Sequence, residues 1–123
     1  MARILVVDDS KFMRLILKNY LEKDSGGKHQ VVGEAERDQE AVEKYKELKP
    51  DLVTMDIIMP VESGLAAVKQ IVEFDPKARI IMVSAMGQEK IVEEAVSLGA
   101  KGMIVKPVKS QDLLAMVEKT IAQ

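Results

Sequence analysis

The sequence contains no cysteine. This absence excludes disulfide bonds, thiolate metal sites and cysteine nucleophiles, and it fits a protein of the reducing cytoplasm. Histidine is present only once, at position 29, so two imidazoles cannot share a metal ion within this chain. The chemical groups that remain are carboxylates, hydroxyls and amines.

Aromatic residues, basic charge and long apolar runs are also scarce. Aromatics make up 3% of the chain, so aliphatic side chains and the eight methionines must fill most of the core. The formal net charge of -2 argues against a nucleic-acid partner. No apolar run reaches membrane length, and the run near Met1 is too short for a signal peptide. We therefore expect a cytoplasmic protein with neither a nucleic-acid nor a membrane partner.

Apolar runs alternate regularly with helical patterns along the whole chain. With 123 residues and no linker or break in composition, the sequence predicts one domain over residues 1–123. The runs predict strands at 4–7, 31–33, 52–55, 80–83 and 103–105, each followed by a helix. Such βα repetition favours an α/β fold, a five-stranded parallel sheet with five helices on both faces. The second strand is short and polar, which suits an edge of the sheet.

Several local features are predicted from single residues. Ser10 and Ser110 are placed to cap the first and last helices, and Gly99 is placed to end the fourth. The first helix is expected to bury a face that includes Phe12. His29 follows a polar turn and is interpreted as a solvated loop residue.

Polar residues stand at the carboxyl ends of four predicted strands. Asp8 and Asp9 follow the first strand, Asp56 the third, Ser84 the fourth and Lys106 the fifth. In a parallel sheet these ends face the same way, where open α/β sheets place their ligand sites. Each residue alone is more simply a helix cap, a turn former or a solvated side chain. The complete set favours a functional site.

The chemistry of this set points to a metal and an anion. Crowded carboxylates repel each other, and a divalent cation removes that repulsion. An oxygen-only site suits Mg²⁺ or Mn²⁺ better than Zn²⁺. The ammonium of Lys106 adds positive charge, and phosphate is the natural guest of such a site. A carboxylate can itself be a phosphoryl-accepting nucleophile, and Asp56 on the central strand is the candidate.

These residues resemble the signature of the receiver domain of two-component response regulators, over essentially the whole chain. The resemblance implies a flavodoxin-like receiver fold with strand order 2-1-3-4-5 and a cis peptide bond before Pro107. It rests on the acidic pair Asp8-Asp9 and on the phosphoacceptor Asp56 in the run Met55-Asp56-Ile57-Ile58-Met59-Pro60. It also rests on the switch hydroxyl of Ser84, which precedes Ala85, and on Lys106, which precedes a proline.

The resemblance implies a phosphorylation-activated signalling switch rather than an enzyme acting on an external substrate. Mg²⁺, or Mn²⁺ in its place, would bind Asp9, Asp56, the backbone carbonyl of Ile58 and, through water, Asp8. A histidine kinase, a phosphotransfer protein or a small acyl phosphate would then donate a phosphoryl group to Asp56.

The implied switch has an output. Lys106 and Ser84 would hold the phosphoryl oxygens, and the movement of Ser84 would reshape the face formed by the fourth helix, the fifth strand and the fifth helix. A downstream protein, unidentified from the sequence, would read that face. The chain is expected to be a monomer or a weak, phosphorylation-dependent dimer.

Three departures from the family pattern bear on the switch. Met103 stands where the family carries an aromatic switch residue on the fifth strand, and Arg37-Asp38 stands where Asn-Gly is common. The loop after Pro60 lacks the usual residues before its glycine. Ile58 and Met86, at positions that tune hydrolysis, are both apolar, and we expect them to shield the phosphorylated aspartate from water.

Two other functions remain as alternatives. A phosphohydrolase of the haloacid dehalogenase type also uses an aspartate nucleophile, but it resembles a D-x-D pattern, and Ile58 occupies the position of the second aspartate. A flavin or nucleotide module needs a glycine-rich loop after a strand, and none is present. The sequence leaves open whether the chain is a stand-alone receiver of the chemotaxis or relay type or a piece of a longer regulator.

Overall fold

The computed structural model describes residues 2–57 and 64–123, which form alternating strands and helices. The strands are β1 Ala2–Val7, β2 His29–Ala35, β3 Leu52–Asp56, β4 Ile80–Ser84 and β5 Gly102–Val105. The helices are α1 Lys11–Glu22, α2 Asp38–Leu48, α3 Gly64–Phe74, α4 Glu89–Leu98 and α5 Ser110–Ile121.

The five strands form one parallel sheet in the order β2-β1-β3-β4-β5. The predicted fold class and strand order are therefore confirmed. The central strands carry apolar, β-branched runs that are buried on both faces, as a parallel sheet requires. β2 lies at an edge, as predicted, but with seven residues it is longer than the prediction of 31–33.

Two hydrophobic clusters cover the two faces of the sheet. Alternate residues of each strand point to opposite faces, so Ile4 and Val6 pack with α1 and α5. Leu5 and Val7 pack on the other face with α2, α3 and α4. The helices thus hold the sheet rigidly on both sides and leave the carboxyl ends of the strands to the loops.

The helix termini agree in part with the sequence. The hydroxyl of Ser10 accepts a hydrogen bond from the backbone N–H of Met13, which confirms the predicted cap of α1. Gly99 ends α4 with a φ of 122°, a conformation that favours glycine. The Ser110 cap is wrong, because Lys109 occupies the cap position and Ser110 donates a 2.6 Å hydrogen bond to Asp24 Oδ2 instead.

The burial of two side chains is the opposite of what the sequence predicted. Phe12 is 72% exposed, because the buried face of α1 is rotated toward Arg14, Leu17 and Leu21. His29 is buried rather than solvated, because it begins β2 and pairs with Ala2 at the foot of the sheet.

No helix within the described residues is long and apolar enough to span a membrane.

Candidate functional site

The structure places the polar strand-end residues where the parallel sheet requires them. Asp8 directly follows β1, Asp56 is the last residue of β3, and Ser84 is the last residue of β4. Lys106 follows β5, and its N–H donates a 2.6 Å hydrogen bond to the carbonyl of Ser84. These groups therefore lie together at the carboxyl ends of four separate strands.

Three carboxylates lie close together at the carboxyl ends of the strands. One oxygen from each of Asp8, Asp9 and Asp56 lies within 4.8 Å of the others. Asp8 and Asp56 are buried, and Asp9 is exposed. Such a group can hold a divalent cation between two anchored carboxylates and one that faces the solvent.

The electrostatics of Asp8 show the cost of this crowding. Burial raises the pKa of the Asp8 carboxyl above its usual value, and the negative charge of Asp9 raises it further. The backbone N–H of Ser10, 2.8 Å from Asp8 Oδ1, and the positive charge of Lys106 both lower the pKa, but less than burial raises it. Asp8 Oδ2 is buried and has no hydrogen-bond partner among the described residues. This oxygen and the hard, all-oxygen donor set fit Mg²⁺.

Lys106 brings positive charge to the same place. Its Nζ lies 3.5 Å from Asp56 Oδ1, and its side chain is 31% exposed. The peptide bond between Lys106 and Pro107 is cis, as the resemblance implies. Together with a divalent cation, if the acidic group holds one, an ammonium beside a buried carboxylate would make a site for a doubly charged anion such as phosphate.

The other predicted residues lie at varying distance from this centre. Ser84 is buried at the end of β4, and Met103 on β5 is 38% exposed. Met86, in the loop after β4, is 85% exposed, and its shielding of a phosphorylated Asp56 stays a prediction. Ile58, the expected carbonyl ligand, lies outside the described residues.

Gly64 is a contributor that sequence reasoning assigned only to a loop. It is the first residue of α3, and its N–H donates a 2.8 Å hydrogen bond to the carbonyl of Ile57. A Cβ at this position would lie 2.5 Å from the backbone oxygen of Asp56. Only glycine therefore allows α3 to begin so close to the end of β3. The signal in the sequence was weak, namely a glycine four residues after Pro60.

Arg14 was missed altogether. It lies on α1, is 6% exposed, and its Nη1 donates a 2.7 Å hydrogen bond to the backbone carbonyl of Asp8. The available signal was its spacing, because Arg14, Leu17 and Leu21 recur as one helical face does. A charged residue on an otherwise apolar stripe needs a buried partner, and here that partner belongs to the acidic pair.

Comparison with known proteins agrees with the fold. The model of the response regulator receiver domain matches residues 4–118. The chemotaxis protein CheY of Thermotoga maritima is 50% identical over 117 residues, which cover 95% of each chain.

Solved structures give the same result. The response regulator domain of Thermotoga maritima CheB aligns with a TM-score of 0.88 and 42% identity, over 98% of this chain and 96% of that one. The CheX–CheY–BeF3–Mg²⁺ complex of Borrelia burgdorferi aligns with a TM-score of 0.89 and 37% identity, over 98% and 90% of the two chains.

Proposed function

Since the chain belongs to the response regulator receiver domain family, whose members are phosphorylation-activated switches of two-component signalling, we propose that it accepts a phosphoryl group on Asp56. One observation carries the proposal. Among the described residues, Asp56 is the one carboxylate that takes part in the acidic group and also has the Lys106 ammonium 3.5 Å from its Oδ1. It is therefore the carboxylate best placed to act as the nucleophile while it also helps to hold the metal ion.

The reaction transfers a phosphoryl group from a donor to the carboxylate of Asp56. A carboxylate oxygen of Asp56 forms a bond to phosphorus while the bond from phosphorus to the donor breaks, and the donor leaves with the electron pair. The donor is the phosphohistidine of a histidine kinase or of a phosphotransfer protein, or a small acyl phosphate. Hydrolysis of the resulting acyl phosphate returns the protein to its starting state.

Receiver domains bind Mg²⁺ at an acidic group, here Asp8, Asp9 and Asp56. We propose that Asp9 and Asp56 bind the ion directly, together with the carbonyl of Ile58, and that Asp8 binds it through water. Mn²⁺ has the same preference for oxygen and is expected to substitute. When bound, the ion neutralises charge that develops on the phosphoryl oxygens.

Lys106 and Ser84 complete the site. The ammonium of Lys106 can leave Asp56 Oδ1 for a phosphoryl oxygen with a small movement, because it is only 3.5 Å away. The Ser84 hydroxyl, at the end of the neighbouring strand, is proposed to donate to a second phosphoryl oxygen. These interactions form only after phosphorylation, so they bias the protein toward a second conformation.

The proposed output surface lies on α4, β5 and α5. Met103 and Val105 of β5 are each 38% exposed there, beside the α5 residues Asp112, Ala115, Met116 and Lys119. Methionine side chains adapt to different partners, which suits a surface read in one of two states. Met103 takes the place of an aromatic switch and is proposed to change rotamer with Ser84. The downstream partner is a protein, and no nucleic-acid or membrane contact is proposed.

Intact-mass measurement after incubation with Mg²⁺ and acetyl phosphate tests this function. We expect one added phosphoryl group that requires Mg²⁺ and that is lost in Asp56→Asn. The matched control is Asp51→Asn, because Asp51 is an exposed aspartate just before the amino end of the same strand, far from the acidic group. An adduct that survives in Asp56→Asn, or none on the folded wild-type protein, would refute the proposal.

A further inference from the structure

We propose that Arg14 is a positioning residue of the acidic site, holding the Asp8-Asp9 pair at the distance from Asp56 that Mg²⁺ binding needs. The inference rests on the proposed function, because it concerns the same carboxylates. Arg14 touches neither the metal nor the phosphoryl group. It acts through the backbone of Asp8.

The contact is direct and buried. Arg14 Nη1 donates to the carbonyl oxygen of Asp8 at 2.7 Å, and the Arg14 side chain is only 8% exposed. A hydrogen bond from a charged donor to a buried carbonyl is about twice as strong as one between neutral groups. The carbonyl belongs to the peptide unit that joins Asp8 to Asp9, so its orientation sets where both side chains begin.

The remaining nitrogens of Arg14 connect the peptide between Asp8 and Asp9 to the carboxyl end of the edge strand β2. Nε donates to Glu34 Oε1 at 2.9 Å, and Nη2 lies 3.4 Å from Glu36 Oε1. The N–H of Asp8 donates at 3.0 Å to the carbonyl of Ala35, which lies between these two glutamates. The peptide units on both sides of Asp8 are therefore tied to the carboxyl end of β2, one directly and one through the guanidinium.

The need for such a device follows from the charges of the site. The carboxylates of Asp8, Asp9 and Asp56 repel one another, and without a restraint the loop after β1 would relax by moving its acidic pair outward. The planar fork of arginine can bind a carbonyl and two carboxylates at once, which the single ammonium of lysine cannot do.

Charge and position predict opposite results, and this makes the inference testable. Removing a cation near an acidic site strengthens the binding of Mg²⁺ if only charge matters. If Arg14 positions the acidic pair, its removal weakens Mg²⁺ binding, by about 10-fold or more, as is common when a residue that orients metal ligands is lost.

The experiment measures the dissociation constant of Mg²⁺ by following amide chemical shifts in ¹⁵N-labelled protein. The variants are Arg14→Met and Arg14→Lys, and we expect both to bind Mg²⁺ about 10-fold more weakly than the wild-type protein. The control is Lys44→Met, because Lys44 donates to the carbonyl of Glu34 at the same end of β2 without a contact to Asp8. We expect the control to bind within about twofold of the wild-type protein.

A second readout needs no metal. The ¹⁵N shift of the Asp9 amide reports hydrogen bonding to the Asp8 carbonyl, and we expect it to move in both Arg14 variants and to stay unchanged in the control. Urea unfolding shows whether each variant is folded, and if Arg14→Met is not, Arg14→Lys carries the test.

The possible results distinguish the positioning role of Arg14 from the proposed phosphoacceptor role of Asp56. Unchanged or tighter Mg²⁺ binding in a folded Arg14 variant overturns the positioning role and leaves Asp56 as proposed acceptor. Full rescue by Arg14→Lys shows that a single ammonium is enough at this position, which overturns the inference that the guanidinium fork positions the acidic pair. A wild-type protein that binds no Mg²⁺ overturns the acidic site itself and this inference with it.

Discussion

Replacing Asp8 by asparagine should stabilise the metal-free protein while weakening its response to Mg²⁺. Asp8 is 1% exposed, and its Oδ2 finds no hydrogen-bond donor among the described residues. Asparagine keeps the oxygen that accepts from the N–H of Ser10 and offers its amide to the nearby carboxylates of Asp9 and Asp56. The substitution therefore removes a charge without leaving a cavity.

The sign follows from the direction of the pKa shift. Burial raises the pKa of Asp8 in the folded state, so the folded protein holds this proton at pH values where the unfolded chain has already released it. The destabilisation is absent below the unfolded value of 3.8, grows as the pH rises toward the folded pKa, and is constant above it.

The magnitude can be bounded from the geometry. Two unit charges 4.8 Å apart repel by about 3 kcal/mol at an effective dielectric constant of about 20. The ammonium of Lys106 offsets part of this repulsion. We therefore expect Asp8→Asn to raise the free energy of unfolding by about 1–2 kcal/mol without metal, which corresponds to about 5 °C in Tm.

Mg²⁺ should reverse the comparison. At a free concentration of 100 times the dissociation constant, a ligand stabilises the folded state by about 2.7 kcal/mol. The variant binds more weakly and should gain less. Urea unfolding followed by circular dichroism, with EDTA and then with Mg²⁺, measures both effects, and Asp51→Asn serves as the exposed control. A variant less stable than wild type in EDTA would refute the electrostatic account.

Three further predictions concern single contacts. Gly64→Ala should cost about 2 kcal/mol of stability and slow phosphorylation, because the new Cβ would meet the Asp56 carbonyl at 2.5 Å; an unchanged urea midpoint would contradict this. Thr54→Val should stabilise by about 1 kcal/mol in urea unfolding, because the Thr54 hydroxyl is buried without a partner among the described residues, and a clear loss of stability would count against it. The hydrogen bond from Lys28 lowers the pKa of Glu118, so this pair should stabilise the protein above pH 4.5 and lose that effect as the pH falls through the folded pKa; Lys28→Met should flatten the thermal-denaturation profile over that range, and an unaltered profile would refute the pairing.

The fold was largely predictable because its central strands, β1, β3 and β4, are buried on both faces. Such strands are continuous apolar runs, and their alternation with helical patterns leaves few topologies. The proximity of the acidic residues and Lys106 followed from the same argument, since parallel strands end at one edge. The roles of Asp56 and Ser84 in phosphorylation stay predictions.

The errors share a physical cause, which is that side-chain partners distant in sequence decide burial. His29 was predicted to be solvated from the polar turn before it, but β2 begins at this residue and α5 closes over it, with Glu118 Oε1 3.4 Å from His29 Nε2. Arg14 was overlooked because a charged residue is normally exposed. Its partners, the carbonyl of Asp8 and two glutamates at the end of β2, meet it only in the folded sheet.

The position of the phosphoryl group is the most direct test of the central claim. The protein would be phosphorylated with acetyl phosphate and Mg²⁺, reduced with borohydride, which converts an aspartyl phosphate to homoserine, and mapped by peptide mass spectrometry. The account predicts homoserine at position 56 and unmodified aspartate at Asp8 and Asp9. Homoserine at either of those two positions, with Asp56 unmodified, would contradict the assignment of the acceptor.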